Sequence, residues 1–306
     1  MLQHQFKTMG GPARLLVEHI DSKVENIALR RVLDELLRIE RKFSFYINSS
    51  LVSSINNSAG TKRMIKIDDE FASLLHFADT LYKESDGAFD PTAGILKDLW
   101  KLDKLSLPDN DELLEKLGCV GWTKFDWSSH SARLSAKGMK IDLGGIVKEY
   151  AVDFATKILR DLNIKSALVD LAGDIGLIGD KPDGTPWEIS VRHPRISGKS
   201  VSMLKLSDVC VATSGDYERA LIINGKRYSH LINPKTGWPI DGLASCTVVS
   251  EQCLLAGGTA TTASLKESHE IMEWLENIGL PYLAIDTSLK VHSNLDDAFE
   301  RNRHRQ

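Results

Sequence analysis

A glycine pair followed closely by a lysine is the strongest sign of chemistry in this sequence. The segment KIDLGGIVKEYAVD (140–153) predicts a strand that runs into a helix through Gly144 and Gly145. Glycines at such a turn let a ligand approach the backbone closely, and the helix N-terminus that follows favours phosphate. Lys148 falls in the first turn of that helix, where a positive charge interacts unfavourably with the helix dipole. The helix alone therefore gives no structural reason for a lysine at this position. An anionic ligand would explain this lysine, and the alternative is a surface lysine on an ordinary turn.

The segment SDGAFDPTAGIL (85–96) places a glycine, an aromatic residue, an acid and a proline in one predicted loop. One interpretation is a helix end followed by a turn, in which Asp90 bonds its own backbone ahead of the proline. The other is a ligand loop, in which Ala88 and Phe89 offer backbone groups and an apolar wall and Asp90 accepts a hydrogen bond. The sequence leaves both open.

A third polar segment, VATSGDYERA (211–220), ends a predicted strand. Its hydroxyl groups and Arg219 beside a glycine could bind phosphate. The same residues could instead make an ordinary polar turn with an ion pair between Asp216 and Arg219. Neither interpretation is favoured.

One histidine stands out by its position. The segment YSHLINPKTGWPIDG (228–242) places His230 at the end of a predicted strand, just before a rigid turn with Asn-Pro and Thr-Gly steps. A single histidine is more often a hydrogen-bonded structural residue than a catalyst, but loops beside rigid elements often carry function. His230 is therefore a catalytic candidate with a structural alternative.

The segment LLAGGTATT (254–262) lies in a predicted helix although its glycines and threonines are poor helix formers. Such residues inside a helix need a reason other than helix stability.

The elements that must position these segments are strands and helices in succession. Apolar residues recur at helical spacing from Val24 to Phe43 and from Asp69 to Tyr82, which predicts two amphipathic helices, and a third helix is predicted from Glu251 to Gly279. Predicted strands lie at ARLLVEHI (13–20), SALVDLAGDIGLIG (166–179, a pair around a glycine turn), WEISVRH (187–193), DVCVATSG (208–215), SCTVVS (245–250), YLAID (282–286) and LKVHS (289–293).

The clearest local signal is a hairpin at LIINGKRYSHLI (221–232). Asn224 and Gly225 between two β-rich runs supply the positive φ values that a type I′ turn requires. Hairpins combined with long helices predict an α+β fold rather than a doubly wound parallel sheet. No domain boundary is visible, so we expect one domain spanning residues 1–306.

Composition excludes several functional classes. The chain has 42% hydrophobic residues and a net charge of −4 without long runs of one sign, so neither a nucleic-acid groove nor a polybasic membrane anchor is indicated. The GxGxxG and P-loop motifs are absent from the sequence. The cysteines form no C-x-x-C pair and are expected to be reduced. The N-terminal residues show no secretory pattern, so we expect a cytoplasmic protein without membrane insertion, or a periplasmic one if a leader has been removed.

Taken in order, these segments resemble the ApbE-like flavin transferases, the FAD:protein FMN transferases. The resemblance covers about residues 8 to 270 and implies an ApbE-like (T-fold-like) α+β fold of mixed sheets with packed helices. It rests on TMGG (8–11), FSFYINSSLVSSIN (43–56), DGAFDPTAGIL (86–96), IDLGGIVKEYAVD (141–153), ALVDLAGDIGLIG (167–179), TSGDYER (213–219), YSHLINPKTGWPI (228–240) and ASCTVVS (244–250) with its following helix.

The resemblance also implies a reaction and its site. FAD would bind in a cleft beside Mg²⁺, and FMN would pass to a threonine or serine hydroxyl of an acceptor protein with release of AMP. The catalytic candidate would be His230, and the metal ligands would be Thr261 and the carbonyl of Gly145. Matched position by position, the flavin contacts would be Met9, Tyr46, Ala88, Phe89, Asp90, Asp142, Lys148 and the backbone near Leu231.

The metal motif of the family departs from its pattern in this chain. In the family an A-D-x-x-x-T sequence opens the last helix, and here Ala256 and Thr261 match while Gly257 stands at the aspartate position. Mg²⁺ binding would be weakened or absent unless another acid compensates, and Asp174 and Asp241 are the candidates. We expect Gly257→Asp to restore Mg²⁺ dependence.

Three more departures accompany it. Gly11 replaces a threonine of the family, Asn233 an aspartate and Glu149 a glycine. The departures leave two alternatives to a transferase. One is an FAD-binding homologue that has lost transfer, and the other is an FAD pyrophosphatase that makes FMN and AMP without an acceptor.

Overall fold

An eight-stranded antiparallel sheet forms the centre of the computed structural model, which describes residues 1–19, 21–101, 106–217 and 220–295. The described strands are β1 (Leu2–Thr8), β2 (Gly11–Val17), β3 (Ile65–Lys66), β4 (Phe125–Trp127), β5 (Ser131–Leu134), β6 (Ala167–Leu171), β7 (Asp174–Ile178), β8 (Trp187–Arg192), β9 (Ser200–Leu206), β10 (Cys210–Gly215), β11 (Leu221–Ile223), β12 (Lys226–Tyr228), β13 (Leu243–Ser250), β14 (Tyr282–Asp286) and β15 (Val291–Ser293). The α-helices are α1 (Ser22–Phe43), α2 (Leu51–Asn57), α3 (Asp69–Glu84), α4 (Asn110–Gly118), α5 (Val147–Asp161), α6 (Cys253–Leu265) and α7 (Ile271–Ile278). Short 3-10 helices span Pro91–Asp98 and Trp122–Lys124.

The strand order of the large sheet is β1-β2-β6-β7-β10-β13-β14-β15. A three-stranded sheet (β3-β5-β4) and two ribbons (β8-β9 and β11-β12) complete the described β-structure. The α+β fold expected from the sequence is confirmed, and the pairing between the described strands is antiparallel throughout rather than mixed.

The two faces of the large sheet pack against different layers. Side chains such as Leu15 and Val169 face a core shared with α1, α5 and α6, while Leu168 and Leu177 face a second core with the β8-β9 ribbon. Alternation along each strand produces this division. Strand β13 is buried along its whole length, as a central strand covered on both faces should be.

Polar side chains also join the helices. Glu70 of α3 accepts hydrogen bonds from Arg38 of α1 and from the Tyr150 hydroxyl of α5, both at 2.8 Å, and it pairs with Lys42 of α1. Burial raises the pKa of Glu70, but these hydrogen bonds outweigh it and lower the pKa to about 2. The network fixes α5, which carries part of the candidate site, against α1 and α3.

Two secondary-structure predictions are wrong. The helix predicted from Glu251 to Gly279 is two helices, α6 and α7, because the polar residues 266–270 offer no apolar side chain to continue the buried face. The strand predicted ahead of Gly144 is an irregular segment. There the Ile141 N–H donates to Oδ1 of Asn56 at 2.8 Å, and the Ile141 carbonyl accepts from Nδ2 of Asn56 at 3.0 Å. These bonds take the place of pairing with a neighbouring strand.

The other predicted elements are found close to their expected positions. Asn224 and Gly225 have φ values of 51° and 77°, as the type I′ turn requires. Strands β1, β3, β4, β5 and β9 and helices α2 and α4 are not predicted from the sequence patterns. No helix in the described ranges is long and apolar enough to cross a bilayer.

Candidate active site

The glycine pair ahead of α5 forms a tight turn that Asp142 organises. The Asp142 Oδ1 accepts a hydrogen bond from the Gly144 N–H at 2.8 Å, and its Oδ2 pairs with Lys97 at 2.6 Å. Such a bond from an aspartate to the backbone two residues on is a common way to fix a turn. Asp142 therefore shapes the turn, and its contact with flavin stays a prediction.

Residues from three separate sequence motifs meet beside this turn. A β-carbon on Gly145 would lie 3.4 Å from the Phe89 ring and 3.9 Å from the methyl group of Thr261. Phe89 follows α3 and is buried, whereas Thr261 lies on α6 and is partly exposed. The structure thus brings the two predicted metal ligands, Gly145 and Thr261, next to one predicted flavin contact.

The N-terminus of α6 is capped from another helix. Gln252 makes no side-chain cap of its own. Asp153 of α5 instead accepts hydrogen bonds from the N–H groups of Cys253 at 2.7 Å and Leu254 at 2.9 Å. A carboxylate at this place accepts hydrogen bonds from backbone N–H groups that lack partners within the helix, and its charge interacts favourably with the helix dipole. Burial nevertheless raises the pKa of Asp153 above the usual value. This cap fixes α6 against α5, and so fixes Thr261 against the glycine turn.

Both glycines of LLAGGTATT lie where another side chain approaches α6 closely. A β-carbon on Gly258 would lie 2.9 Å from the Phe77 ring and 3.0 Å from Leu81, both on α3. A β-carbon on Gly257 would lie 2.3 Å from Cγ of Glu149. The glycines are therefore needed for packing, and the Glu149 side chain fills the space beside Gly257.

Glu149 is a buried acid with few compensating contacts. Glu149 is 5% exposed. Oε2 of Glu149 has no hydrogen-bond partner among the described residues. Burial and the neighbouring carboxylate of Asp174, to which Glu149 is hydrogen-bonded, raise the pKa of Glu149 well above the usual value, while the Lys148 ammonium opposes this shift. An uncharged acid or a bound cation would relieve this situation.

Lys148 has a structural partner that the sequence does not reveal. Its Nζ lies 2.6 Å from Oδ2 of Asp174, a residue that is 1% exposed. Oδ1 of Asp174 accepts a hydrogen bond from the Thr213 N–H at 3.3 Å. The inference that a lysine in this turn has no structural reason is wrong. Binding of an anion by Lys148 stays a prediction, and Asp174 is already engaged with the lysine.

The loop before the first 3-10 helix is a capped turn. Oδ1 of Asp90 accepts hydrogen bonds from the Thr92 N–H at 2.7 Å and hydroxyl at 2.6 Å, and Oδ2 accepts one from the Trp122 N–H at 3.1 Å. The N–H groups of Ala88 and Phe89 also have protein partners. The turn interpretation is confirmed, and the ligand contacts of Ala88, Phe89 and Asp90 stay predictions.

A cavity of about 240 Å³ lies between this loop and the turn at Pro234 and Lys235. Asp90 and Gly87 line it from the loop side. Ligand pockets usually measure about 300–1,000 Å³, so the cavity is large enough for only part of a dinucleotide.

His230 and Leu231 follow β12 in a short connection. His230 is partly buried. The Leu231 N–H donates to the Ser229 hydroxyl at 3.1 Å, and its carbonyl accepts from the Ile240 N–H at 3.0 Å. The backbone groups of Leu231 thus already have protein partners, and its contact with flavin stays a prediction.

Two of the departures from the family pattern have structural explanations. Oδ1 of Asn233 accepts hydrogen bonds from the N–H groups of Lys235 at 2.8 Å and Thr236 at 3.2 Å, a task that an amide performs as well as a carboxylate. A β-carbon on Gly11 would lie 2.8 Å from Cβ of Ala172, so no larger residue fits there without a shift.

Met9 and Tyr46 lie in exposed or partly exposed positions. Met9 has a φ of 50° in the turn between β1 and β2. Tyr46 is 77% exposed and packs edge-on against Phe45. Among the described residues, no hydrogen bond or ring contact joins either side chain to Thr261.

The remaining predictions concern Asp216 and Asp241. Asp216 forms a bidentate ion pair with Arg195, at 2.6 Å and 2.7 Å, and the predicted partner Arg219 lies outside the described residues. Asp241 is exposed. In the described part of the chain, no group of three or more His, Cys, Asp or Glu side chains could hold a metal.

Sequence reasoning missed two residues of the site. Asp153 ends the segment IDLGGIVKEYAVD (141–153), but nothing in the sequence indicates that it caps α6. Glu149 was noted only as a departure from the family. The available signal was that an acid appears at 149 in the same chain that lacks one at 257.

Comparisons with known proteins cover almost the whole chain. Residues 9–284 match the model of the ApbE family. An FAD:protein FMN transferase of Haemophilus influenzae is 31% identical over 275 residues, which are 86% of this chain and 80% of that protein. One of Chlamydia pneumoniae is 34% identical over 232 residues, 73% of this chain and 72% of that protein.

Solved structures of similar proteins show the same fold. An ApbE protein of Thermotoga maritima superposes with a TM-score of 0.86 at 29% identity, over 97% of this chain and 98% of that one. The flavin transferase ApbE from Vibrio cholerae gives a TM-score of 0.83 at 27% identity, over 95% of this chain and 97% of that one.

Proposed function

The chain belongs to the ApbE family, and on that premise we propose that it is an FAD:protein FMN transferase. The enzyme would transfer FMN from FAD to a threonine or serine hydroxyl of an acceptor protein and release AMP. The observation that supports this function most is the meeting of Phe89, Gly145 and Thr261 beside the N-terminus of α5. These three residues carry an apolar ring, a backbone carbonyl and a hydroxyl.

The reaction is a displacement at the phosphorus of the FMN half of FAD. The acceptor oxygen forms a bond to that phosphorus, and the bond from phosphorus to the bridging oxygen breaks, so AMP leaves with its phosphate. The acceptor proton must go to a base, and we assign this role to His230. Lys148 would bind the charged phosphates, with Asp174 holding the ammonium in place before FAD arrives.

Magnesium would neutralise charge on the phosphate oxygens and align the attacking and leaving groups when it is bound. Hard oxygen donors suit this ion. The residues beside the turn fit, because Thr261 supplies a hydroxyl, Gly145 a carbonyl, and the buried Oε2 of Glu149 lacks a hydrogen-bond partner among the described residues. We propose that Thr261, the Gly145 carbonyl and FAD phosphate oxygens hold the ion.

The flavin contacts carried over from the family remain part of the proposal. They are Met9, Tyr46, Ala88, Phe89, Asp90, Asp142, Lys148 and the backbone near Leu231. The exposed ring of Tyr46 could cover a bound flavin, whereas Asp90 and Asp142 would act mainly by shaping their loops. A cytoplasmic location stays a prediction from the sequence.

Small-molecule products test the function. The purified protein is incubated with FAD and Mg²⁺, with and without an unmodified flavin-acceptor domain, and AMP and FMN are measured by chromatography. A transferase releases AMP only when the acceptor is present. Release of both AMP and free FMN without acceptor would contradict transfer and identify a pyrophosphatase. No AMP under either condition, with FAD bound, would identify a binding protein.

A further inference from the structure

The Glu149 side chain occupies the position that a residue at 257 would need. A β-carbon on Gly257 would lie 2.3 Å from Cγ, 2.9 Å from Cδ and 2.9 Å from Oε1 of Glu149. Real β-carbons do not approach other carbons so closely, so residues 149 and 257 cannot both carry these side chains in this arrangement. The carboxyl group of Glu149 therefore lies beside α6, where a short side chain on α6 would otherwise be.

The two substitutions are complementary. Relative to the family pattern, α5 has gained an acid at 149 and α6 has lost one at 257. Either change alone would alter both the volume and the charge of this interface. Together the two changes keep one carboxylate at the contact between α5 and α6. The residue that carries it is on α5 instead of on α6.

The predicted metal ligands lie around this contact. Thr261 is one helical turn beyond Gly257, so the two residues share a face of α6. Gly145 lies in the turn that leads into α5, near the methyl group of Thr261. The side chain of Glu149 therefore extends from α5, which follows Gly145, towards α6, which carries Thr261.

A purely structural role leaves Glu149 poorly explained. Burying a carboxylate is unfavourable unless it is paired or hydrogen-bonded. Among the described residues Oε2 has no hydrogen-bond partner. The hydrogen bond that the Glu149 side chain does make is with Asp174, which is itself an acid and pairs with Lys148. Other acids are less suitable ligands, since Asp153 caps α6 with both oxygens and Asp241 is exposed.

We propose that Glu149 supplies the carboxylate ligand of the magnesium site, in place of the aspartate that the family carries at the position of Gly257. This inference rests on the proposed function, because the site is the one that binds FAD phosphates. It replaces the earlier candidates Asp174 and Asp241. It also corrects the expected effect of Gly257→Asp, since that change alone would collide with Glu149 instead of restoring a ligand.

Metal binding tests the inference without relying on catalysis. Mn²⁺ is titrated into the protein in the presence of FAD and without acceptor, and free Mn²⁺ is measured by electron paramagnetic resonance. Glu149→Gln keeps the size of the side chain and removes its charge. We expect it to weaken Mn²⁺ binding by at least about 10-fold, the lower limit for changes around metal sites. FAD affinity is measured in EDTA for each variant so that Mn²⁺ binding is compared at equal FAD occupancy. Glu188→Gln on the exposed side of β8 is the matched control and should bind Mn²⁺ as the wild-type protein does.

A second set of variants tests the exchange of positions. Glu149→Gly should lose Mn²⁺ binding, and the double variant Glu149→Gly/Gly257→Asp should regain it. Wild-type Mn²⁺ affinity in Glu149→Gln would overturn the inference. So would a folded double variant that binds Mn²⁺ no better than Glu149→Gly.

The outcomes separate this inference from the proposed function. If the wild-type protein binds FAD but no Mn²⁺, the metal dependence and the role of Glu149 both fail. If wild type and Glu149→Gln bind Mn²⁺ equally, only the role of Glu149 fails. If Mn²⁺ binding depends on Glu149 but no FMN reaches any acceptor, the ligand assignment stands and the transferase function fails.

Discussion

Replacing Gly257 with alanine should destabilise this protein, although alanine normally stabilises a helix interior. The usual gain from glycine to alanine is about 1 kcal/mol. Here the added β-carbon would lie 2.3 Å from Cγ of Glu149. Extra carbon atoms in a packed interior cost about 1–3 kcal/mol, and a distance this short favours the upper end. The expected net loss is therefore about 2 kcal/mol in the free energy of unfolding.

The sign of the effect should reverse when the Glu149 side chain is shortened. In a Glu149→Ala background the obstacle is gone, so Gly257→Ala should stabilise by up to about 1 kcal/mol. The coupling between the two positions would be about 3 kcal/mol, within the range for residues in contact. Urea unfolding followed by circular dichroism, in EDTA and without FAD, measures the free energy of unfolding of the wild-type protein, the two single variants and the double variant.

Gly258→Ala provides the matched control. It faces Phe77 and Leu81 at 2.9 Å and 3.0 Å instead of Glu149, so it should destabilise the protein equally in both backgrounds. An equal effect of Gly257→Ala with and without the Glu149 side chain would refute the predicted clash. So would a stabilising effect of Gly257→Ala in the wild-type protein.

Three further predictions follow from other contacts. Asp153→Ala removes the cap of α6 and should lower the free energy of unfolding by about 1–2 kcal/mol, measured by urea unfolding. Glu70→Gln should cost about 1 kcal/mol at neutral pH. Because the folded-state pKa of Glu70 is about 2 and its usual value is 4.5, that difference should be constant above pH 4.5 and shrink as the pH falls towards 2. His230→Ala should bind FAD normally, seen by flavin fluorescence, and transfer FMN at least about 100-fold more slowly, whereas a wild-type rate would remove its role as base.

Local patterns were sufficient to predict much of the fold. The apolar spacing of α1 and α3 and the Asn224-Gly225 turn depend on neighbouring residues, and the structure confirms them. The segment before Gly144 was predicted wrongly because its backbone bonds to the side chain of Asn56, a contact that spacing cannot show. A continuous helix was predicted from 251 to 279 because the polar residues 266–270, which separate α6 from α7, form too short a segment to indicate a helix end.

The candidate site depended on contacts between distant parts of the sequence. Resemblance to the family indicated Gly145 and Thr261, and the structure brings them together. It could not show that Lys148 already pairs with Asp174, because that pairing depends on how α5 packs on the sheet. The positions of Glu149 and Gly257 were recognised as separate departures. Only the packing of α5 against α6 shows that they are one exchange.

Flavin fluorescence on an acceptor protein tests the transferase function most directly. The purified protein is incubated with FAD, Mg²⁺ and an unmodified flavin-acceptor domain, the mixture is denatured, and the acceptor band is examined after electrophoresis. We expect a fluorescent acceptor band with the wild-type protein and a much weaker band with Glu149→Gln. A dark acceptor with the wild-type protein, under conditions in which FAD is bound, would contradict the transferase function.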